Sequence, residues 1–400
     1  MYDIVKKTKE WKFMKIGIDK LGFFTPDLYV DMAELARTRH EDPNKYLIGI
    51  GQAKMAVIPP TQDVVTMAAN AAQRILTVDD KEQLDLVIFA TESGIDNSKA
   101  AAVYVARLLG LKSNIRAFEV KQACYGATAG LQLARDHVAL FPRSKVLVIG
   151  ADIARYGLKT PGEPTQGGGA VALLVSADPQ ILALDKQSAY QTQDIMDFWR
   201  PLGQTEAMVD GKYSSNIYLE FLDHVWQDYQ QKTGLKLEDL AAVLFHLPYT
   251  KLGLKGIRQL TTGAEPALTL RLTKEFEHAR TFNRLVGNLY TGSLYLSLLS
   301  LLQQSEQLIA GDRLGLFSYG SGAEAEFYSG ILQPDFKAGL MGVDYSQLLA
   351  NRQQVSVDKY EHLFKQQLFH AATEELDYSN DPARFVLAGV KEYQRQYLEH

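Results

Sequence analysis

The chain has 400 residues, a length that suits two packed halves or one large α/β unit. Its composition, with 46% hydrophobic and 22% charged residues, is ordinary for a soluble globular protein, and its net charge of -5 argues against nucleic-acid binding. The single cysteine, Cys124, excludes an intrachain disulfide and favours a reducing, cytoplasmic compartment. No apolar run approaches the roughly 20 residues that a membrane span needs.

Residues 1–13 differ from the sequence that follows them. They contain four lysines and one tryptophan, and they lack the apolar core of a secretory signal. Because a strand-like pattern begins at Met14, we interpret residues 1–13 as an N-terminal appendage and assign them no role.

Predicted strands and helices alternate through the first half of the chain. Buried strands are predicted over residues 84–91, 115–120, 145–149 and 170–176, and helices over residues 99–109 and 124–140. Strands that alternate with helices favour right-handed crossovers and a mostly parallel sheet.

The second half repeats this order, with predicted strands over residues 241–248, 313–319 and 322–331 and a predicted helix over residues 288–302. The match concerns the pattern and not the residue identities, but it favours an internal duplication of about 170 residues per half. We therefore divide the chain into an N-terminal half over residues 14–177 and a C-terminal half, with added helices, over residues 178–400. In a duplicated fold, Glu92, Cys124, His246 and Asn288 would meet where the halves abut, at the carboxyl ends of the strands.

Cys124 lies where a predicted strand passes into a predicted helix, and small residues follow it. The N-terminus of a helix lowers the pKa of a thiol, and a thiolate is the nucleophile that attacks thioesters. The alternative interpretation is a small buried hydrophobic residue. The position of Cys124 at this junction favours the nucleophile.

Three further polar residues are candidates for the same chemistry. Glu92 follows an apolar strand and could act as a general base, although a capping or solvated carboxylate would fit the same position. His246 stands near the end of an apolar strand, where it is either a core residue or a functional one. Asn288 is a candidate N-cap whose amide could also orient a substrate carbonyl.

Lys251 and Lys255 lie four residues apart on the helix predicted after His246, with Arg258 nearby. They could hold phosphates or form a solvated basic face. No dinucleotide or Walker fingerprint and no Cys/His metal spacing is present, so we expect neither a metal nor a cofactor.

Seven motifs in order make the chain resemble the hydroxymethylglutaryl-CoA synthase family, from Met14 to at least Gly330. They are TES at 91–93, ACYGAT at 123–128, GEPTQG at 162–167, FWRP at 198–201, HLPYTK at 246–251, GNLYTGS at 287–293 and SYGSG at 318–322. Gln122 departs from the acidic residue often found before the Ala-Cys pair, at a position that is not catalytic.

The resemblance implies a thiolase-like α/β fold, with two pseudo-repeated βαβαβ halves in five αβαβα layers, and a cytoplasmic homodimer. It implies that acetyl-CoA, acetoacetyl-CoA and water give 3-hydroxy-3-methylglutaryl-CoA and CoA, in the mevalonate route to isoprenoids. By position, Cys124 matches the acetylated nucleophile, Glu92 the general base and His246 the residue that polarises the ketone of acetoacetyl-CoA. The residues that match substrate contacts are Asp42, Tyr156, Thr165, Ser214, Lys251, Lys255, Asn288 and Ser321.

Three alternatives are separated by the same residues. A type III ketoacyl carrier-protein synthase shares the fold and a Cys-His-Asn set, but its decarboxylative reaction needs no base such as Glu92. A thiolase would carry a second cysteine near its carboxyl end, and Cys124 is the only one. A non-catalytic acyl-CoA-binding paralogue would have no reason to retain Cys124, Glu92 and His246 together.

Overall fold

The structure is a computed structural model that describes residues 14–366 and 369–400, so the appendage predicted for residues 1–13 lies outside the described residues. The strands are β1 (Ile16–Phe24), β2 (Leu28–Asp31), β3 (Lys54–Val57), β4 (Leu84–Ala90), β5 (Arg116–Val120), β6 (Lys145–Ala154), β7 (Gly167–Ala177), β8 (Leu182–Thr192), β9 (Phe198–Trp199), β10 (Met208–Val209), β11 (Ala242–Phe245), β12 (Arg313–Gly320), β13 (Glu324–Leu332), β14 (Gln353–Gln354), β15 (Glu374–Glu375), β16 (Phe385–Lys391) and β17 (Gln394–Glu399). The α-helices are α1 (Met32–Thr38), α2 (Val64–Gln73), α3 (Val78–Gln83), α4 (Ala101–Leu108), α5 (Gly126–Leu140), α6 (Gly211–Thr233), α7 (Thr250–Leu260), α8 (Pro266–Ala279), α9 (Thr281–Val286), α10 (Ser293–Gln304), α11 (Tyr345–Ala350) and α12 (Val357–Lys365). None of these helices is long and apolar enough to cross a membrane.

Nine strands form the central sheet, in the order β5-β4-β6-β7-β1-β8-β13-β12-β11. The pairs β4–β5, β4–β6 and β11–β12 are parallel, and the other neighbours are antiparallel. The prediction of a mostly parallel sheet is therefore wrong. The reason lies in two connections that contain no α-helix: residues 155–166 join β6 to β7, and a three-residue turn joins β12 to β13. Parallel neighbours usually need a helical crossover between them, so strands joined without an α-helix run antiparallel here.

The sheet consists of two similar groups of strands that meet at β1 and β8. At this junction Gly17 pairs with Ala183 and Ile18 pairs with Leu182. Outward from this junction, the first group runs β1-β7-β6-β4 and the second runs β8-β13-β12-β11. This order agrees with the pseudo-repeat expected of the fold. The domain boundary between residues 177 and 178 stays a prediction.

Two helices lie between the two groups of strands. Helix α5 packs on β6, and on its other side Thr128 donates a hydrogen bond to Ser318 Oγ of β12 at 2.8 Å. Helix α10 is apolar or small on every face, and it is buried from Ser293 to Leu302. Helix α2 covers the first group of strands and α6 covers the second. The five-layer thiolase-like arrangement is thereby confirmed.

Candidate active site

Cys124 lies in a tight turn between β5 and α5. Helix α5 begins at Gly126, two residues later than predicted, and the turn is closed by a hydrogen bond of 3.0 Å from Tyr125 N–H to Gln122 O. Ala123 has a φ of +41°, a left-handed conformation that is strained for a residue with a Cβ atom. The end of β12 packs closely against this turn, because a Cβ atom at Gly320 would lie only 2.7 Å from Tyr125 N. Cys124 is therefore held by this strained turn and not by the helix itself.

Glu92 meets Cys124 because β4 and β5 are parallel neighbours whose carboxyl ends share one edge of the sheet. The thiol of Cys124 donates to Glu92 Oε1 across 3.4 Å. Both side chains are half-buried. A nucleophile and a candidate base are thus in direct contact, as the sequence predicted for these two residues.

Asp152, near the carboxyl end of β6, holds the segment that carries Glu92. Its fully buried Oδ1 accepts hydrogen bonds from Thr91 Oγ1 at 2.9 Å, from the backbone N–H of Glu92 at 2.8 Å, and from Ser93 Oγ at 2.8 Å. Its Oδ2 accepts from the hydroxyl of Thr291 at 2.5 Å. Sequence reasoning missed this residue, although a carboxylate inside an otherwise apolar strand was a usable signal.

The protonation of the Cys124 thiol differs from the prediction. Burial and the nearby Asp152 carboxylate raise the pKa of Glu92 to about 8, against the opposing charge of Arg200. Burial, followed by the Glu92 carboxylate, raises the pKa of the Cys124 thiol well above its usual range. The predicted lowering of the thiol pKa is wrong, because the thiol is buried, faces the carboxyl group of Glu92 and precedes the first turn of α5. The resting pair therefore keeps its protons near neutral pH.

Three aromatic side chains, Tyr156, Phe198 and Tyr290, form an aromatic wall beside the thiol. The ring of Tyr156 makes edge contacts with Phe198 and Tyr290 at centroid distances of 6.0 and 6.1 Å, and Cys124 packs against this cluster. Burial, followed by the charges of Cys124 and Glu92, raises the pKa of Tyr156 above its usual range.

A buried carboxylate also fixes the segment beside this wall. Asp197 is fully buried and accepts hydrogen bonds from Tyr319 OH at 2.9 Å, Ser214 Oγ at 2.8 Å and Gly322 N–H at 2.9 Å. Sequence reasoning gave no role to Asp197, or to Arg200 three residues later, whose charge acts on Glu92. The hydroxyl of the predicted substrate contact Ser214 is engaged by Asp197.

Ser321 and Thr165 lie on two turns near the same wall. Ser321 occupies the turn between β12 and β13, next to Gly322. Thr165 donates to Gly162 O at 2.8 Å, and Gly162 packs so closely on Tyr156 that a Cβ there would lie 2.7 Å from Tyr156 Cβ.

His246 and Asn288 follow β11 and precede α10, respectively, and both are 1% exposed. Burial lowers the pKa of His246 to about 3, so its imidazole is neutral. Asn288 Oδ1 accepts from Tyr290 N–H at 2.8 Å and from Ser293 Oγ at 2.9 Å; α10 begins only at Ser293, so Asn288 does not open it as predicted. Within the described ranges, His246 Nδ1 and Asn288 Nδ2 have no hydrogen-bond partner, and no hydrogen bond joins either residue to Cys124.

Lys251 and Lys255 lie on α7, the helix predicted after His246, and neither joins an ion pair within residues 14–366 and 369–400. The hydroxyl of Thr250 donates to Gly51 O at 2.6 Å, which joins the start of α7 to the turn over residues 45–50. Asp42 precedes that turn, is exposed, and accepts a hydrogen bond from Asn44 N–H at 2.9 Å. The structure thus brings the Asp42 loop to the start of the basic helix.

The fold and the contact between Cys124 and Glu92 define a condensing enzyme of thioester chemistry. The family model described as "Hydroxymethylglutaryl-coenzyme A synthase N terminal" matches residues 12–180, and its C-terminal counterpart matches residues 182–264 and 267–393. The chain belongs to the hydroxymethylglutaryl-CoA synthase family. The resemblance inferred from the motifs is confirmed, and with it the assignment as an enzyme.

Individual relatives agree over nearly the whole chain. A hydroxymethylglutaryl-CoA synthase of Enterococcus faecalis is 49% identical over 384 residues, which cover 96% of this chain and 100% of the relative. A crystal structure of an HMG-CoA synthase complexed with CoA superposes with a TM-score of 0.94 at 44% identity, covering 97% of this chain and 100% of the other. The structure of MvaS in complex with 3-hydroxy-3-methylglutaryl coenzyme A gives a TM-score of 0.86 at 37% identity, covering 96% and 99% of the two chains.

Proposed function

We propose that this enzyme condenses acetyl-CoA with acetoacetyl-CoA and hydrolyses the product to 3-hydroxy-3-methylglutaryl-CoA and CoA, in the mevalonate route to isoprenoids. The observation that carries the proposal is the contact of 3.4 Å between Cys124 Sγ and Glu92 Oε1. It supplies a nucleophile for acyl transfer and a base for a reaction in which no carboxyl group is lost.

In the first step, Cys124 attacks the thioester carbonyl of acetyl-CoA. The thiol gives up its proton as the sulfur–carbon bond forms. The proton then passes to the departing CoA sulfur, so that an acetyl-Cys124 thioester and free CoA result. Because the pKa of the free thiol is raised, little thiolate is present before the substrate binds. The sulfur therefore loses its proton while it attacks the bound thioester.

In the second step, Glu92 removes a proton from the methyl group of the acetyl-enzyme. The resulting enolate attacks the ketone carbon of acetoacetyl-CoA, and Glu92 returns the proton to the alkoxide that forms. Backbone N–H groups at the Cys124 turn would stabilise the enolate oxygen. A carboxyl group with a pKa of about 8 can accept and return a proton near neutral pH. Water then hydrolyses the thioester to Cys124 and frees the product.

His246 and Asn288 are proposed to receive the second substrate. The imidazole of His246 is neutral and buried, so it can donate to the ketone oxygen without introducing a second charge. The unpaired Nδ2 of Asn288 can donate to an acyl carbonyl. Buried groups that lack partners in the free protein are satisfied when a substrate oxygen arrives.

The remaining contacts are proposed from their positions around these groups. Lys251 and Lys255 have no ion-pair partner in the described part of the chain, and they suit the phosphates of CoA. Asp42 lies in the adjoining loop, and Tyr156, which packs against the same cluster as Cys124, is proposed to line the acyl group together with Thr165, Ser214 and Ser321. The reaction needs no cofactor beyond its two CoA substrates.

We also propose a cytoplasmic homodimer. The sheet ends at β5, which has no strand partner on its outer side within the described residues, and Phe118 is exposed on it. An unpaired edge strand is a template for pairing with another chain, here a second copy. The single cysteine fits a reducing compartment.

The test follows the disappearance of acetoacetyl-CoA with and without acetyl-CoA, together with the release of free thiol. Consumption that requires acetyl-CoA and releases one thiol for each acetoacetyl-CoA supports the proposal. Consumption of a malonyl carrier protein with loss of carbon dioxide would instead establish the type III ketoacyl synthase.

A further inference from the structure

The loop over residues 155–166, between β6 and β7, carries Tyr156 at its start. Its conformation is held by a side chain from its other end. Gln166 Oε1 accepts hydrogen bonds from the backbone N–H groups of Tyr156 at 2.7 Å and Gly157 at 3.1 Å. Gln166 is only 3% exposed, so water cannot easily replace its Oε1 as the acceptor for these two N–H groups.

Gln166 is in turn held by a residue more than 190 positions later in the chain. Its Nε2 donates to the hydroxyl of Tyr360 at 2.7 Å, and that hydroxyl donates to Glu163 Oε1 at 3.3 Å. Tyr360 lies on α12 and is buried. The rotation of the Gln166 amide is therefore set by a group outside the loop.

Glu163 anchors this chain of hydrogen bonds. Arg39, at the end of α1, donates from Nε and from Nη2 to the two carboxylate oxygens at 2.8 and 2.7 Å, and the Lys159 N–H donates at 3.0 Å. Arg39 also pairs with Glu361 of α12 at 2.8 Å. Bidentate pairs of this kind fix orientation as well as distance.

Helix α12 also holds the residue before Tyr156. The guanidinium of Arg155 lies 3.6 Å from the centroid of the Phe364 ring and donates to Phe364 O at 3.3 Å. Helix α12 thus contacts both ends of the loop: Tyr360 hydrogen-bonds to Gln166, and Phe364 contacts Arg155.

We propose that Tyr360 and Gln166 are positioning residues for the reaction: they hold the Tyr156 backbone so that its ring closes the acyl pocket of Cys124 against Phe198 and Tyr290. The inference rests on the proposed function, since it assigns Tyr156 to the acyl pocket. A loosened Tyr156 would leave room for the acetyl group and its attacking partner to misalign, and small misplacements lower rates strongly. The CoA phosphates lie against α7 in the proposed function, so binding of the thioester should change little.

The experiment measures kcat and KM for acetyl-CoA at saturating acetoacetyl-CoA in Tyr360→Phe, Gln166→Met and the double variant. Tyr360→Phe should lower kcat roughly tenfold with KM within about threefold, and Gln166→Met roughly thirtyfold. If Tyr360 acts through Gln166, the double variant should match Gln166→Met within about twofold. A product of the two single losses, roughly 300-fold, would overturn the coupling.

The matched control is Tyr229→Phe, which removes an equally buried hydroxyl bonded to Ser329 Oγ at 2.8 Å, away from the loop. It should change kcat less than about twofold while lowering the melting temperature about as much as Tyr360→Phe. Unchanged kinetics in Tyr360→Phe, a loss confined to KM, or an equal loss of kcat in Tyr229→Phe would each refute the inference. Acetylation of wild-type Cys124 by acetyl-CoA is scored separately, because its failure would refute the proposed function itself.

Discussion

The two sides of the candidate site differ in how their polar groups are satisfied. On the side of the first half, Glu92 and Cys124 touch each other, and Asp152 fixes the Glu92 segment by several hydrogen bonds. On the side of the second half, His246 and Asn288 are buried, neutral and incompletely hydrogen-bonded. The contrast agrees with the proposed division of labour, in which the first side transfers the proton and the acyl group and the second side receives the substrate.

Replacing the nucleophile should have the largest effect on the first side. We expect Cys124→Ser to abolish covalent labelling by radiolabelled acetyl-CoA and to lower turnover by at least about 10⁴-fold, since a hydroxyl is a far weaker nucleophile for a thioester. Mass spectrometry of the intact protein checks the label. Full labelling of the serine variant would show that another residue carries the acetyl group.

Removal of the base should separate two steps on that same side. Glu92→Ala should still become acetylated, but condensation should fall by about 10³-fold, because the methyl proton then has no acceptor. Rapid-quench measurement of acetyl-enzyme formation, beside steady-state turnover, resolves the steps. An equal loss in both would mean that Glu92 serves the thiol alone.

Changes on the second side should affect binding of the second substrate. We expect His246→Ala to raise the KM for acetoacetyl-CoA about tenfold, which corresponds to the loss of a hydrogen bond of about 1.4 kcal/mol. Its rate of acetylation by acetyl-CoA serves as the internal control and should stay within about twofold of wild type. A KM that does not move would remove His246 from the ketone site.

The raised pKa of Glu92 predicts opposite trends for activity and stability with pH. Condensation needs the carboxylate, so its rate should rise roughly tenfold from pH 7 to pH 9, through the folded pKa of about 8. The folded state favours the protonated form, so the stability from this group is fully present below its unfolded pKa of 4.5 and is lost as pH rises through about 8.

Urea unfolding of wild type and Glu92→Gln at pH 6 and pH 9 provides the check on the stability trend. The wild type should lose stability relative to the glutamine variant at the higher pH, because glutamine does not ionise. A constant difference between the two proteins would show that Glu92 is not held protonated by the fold.

The smallest expected effect lies outside both sides, on α7. Lys255→Ala should raise the KM for both CoA substrates by about three- to tenfold and leave kcat unchanged, since an exposed ammonium contributes only about 1 kcal/mol to a phosphate contact. Lys232→Ala, an exposed lysine of α6 that pairs with Asp228, is the matched control and should leave KM unchanged. An unaltered KM in Lys255→Ala would place the phosphates elsewhere.

The sequence by itself determined the buried strands, the order of the motifs and the pairing of Glu92 with Cys124. The strands and motifs are local features, since β4 is a continuous apolar run in the sequence. Glu92 and Cys124 follow two strands that are consecutive in the sheet, and parallel pairing brings the ends of β4 and β5 together. The family followed from motifs that stand at fixed places along the chain.

Only the tertiary structure decided the direction of β7 and β13, the protonation of the pair and the residues that hold the site in place. Strand direction depended on whether a connection contained a helix, and the pKa values depended first on burial and then on charges brought near from other strands, such as Asp152 beside Glu92. The hydrogen bonds from Tyr360 to Gln166 join residues far apart in the chain. Such contacts leave no periodic signal, because burial and electrostatic interactions are set by distances in space and not by separation along the sequence.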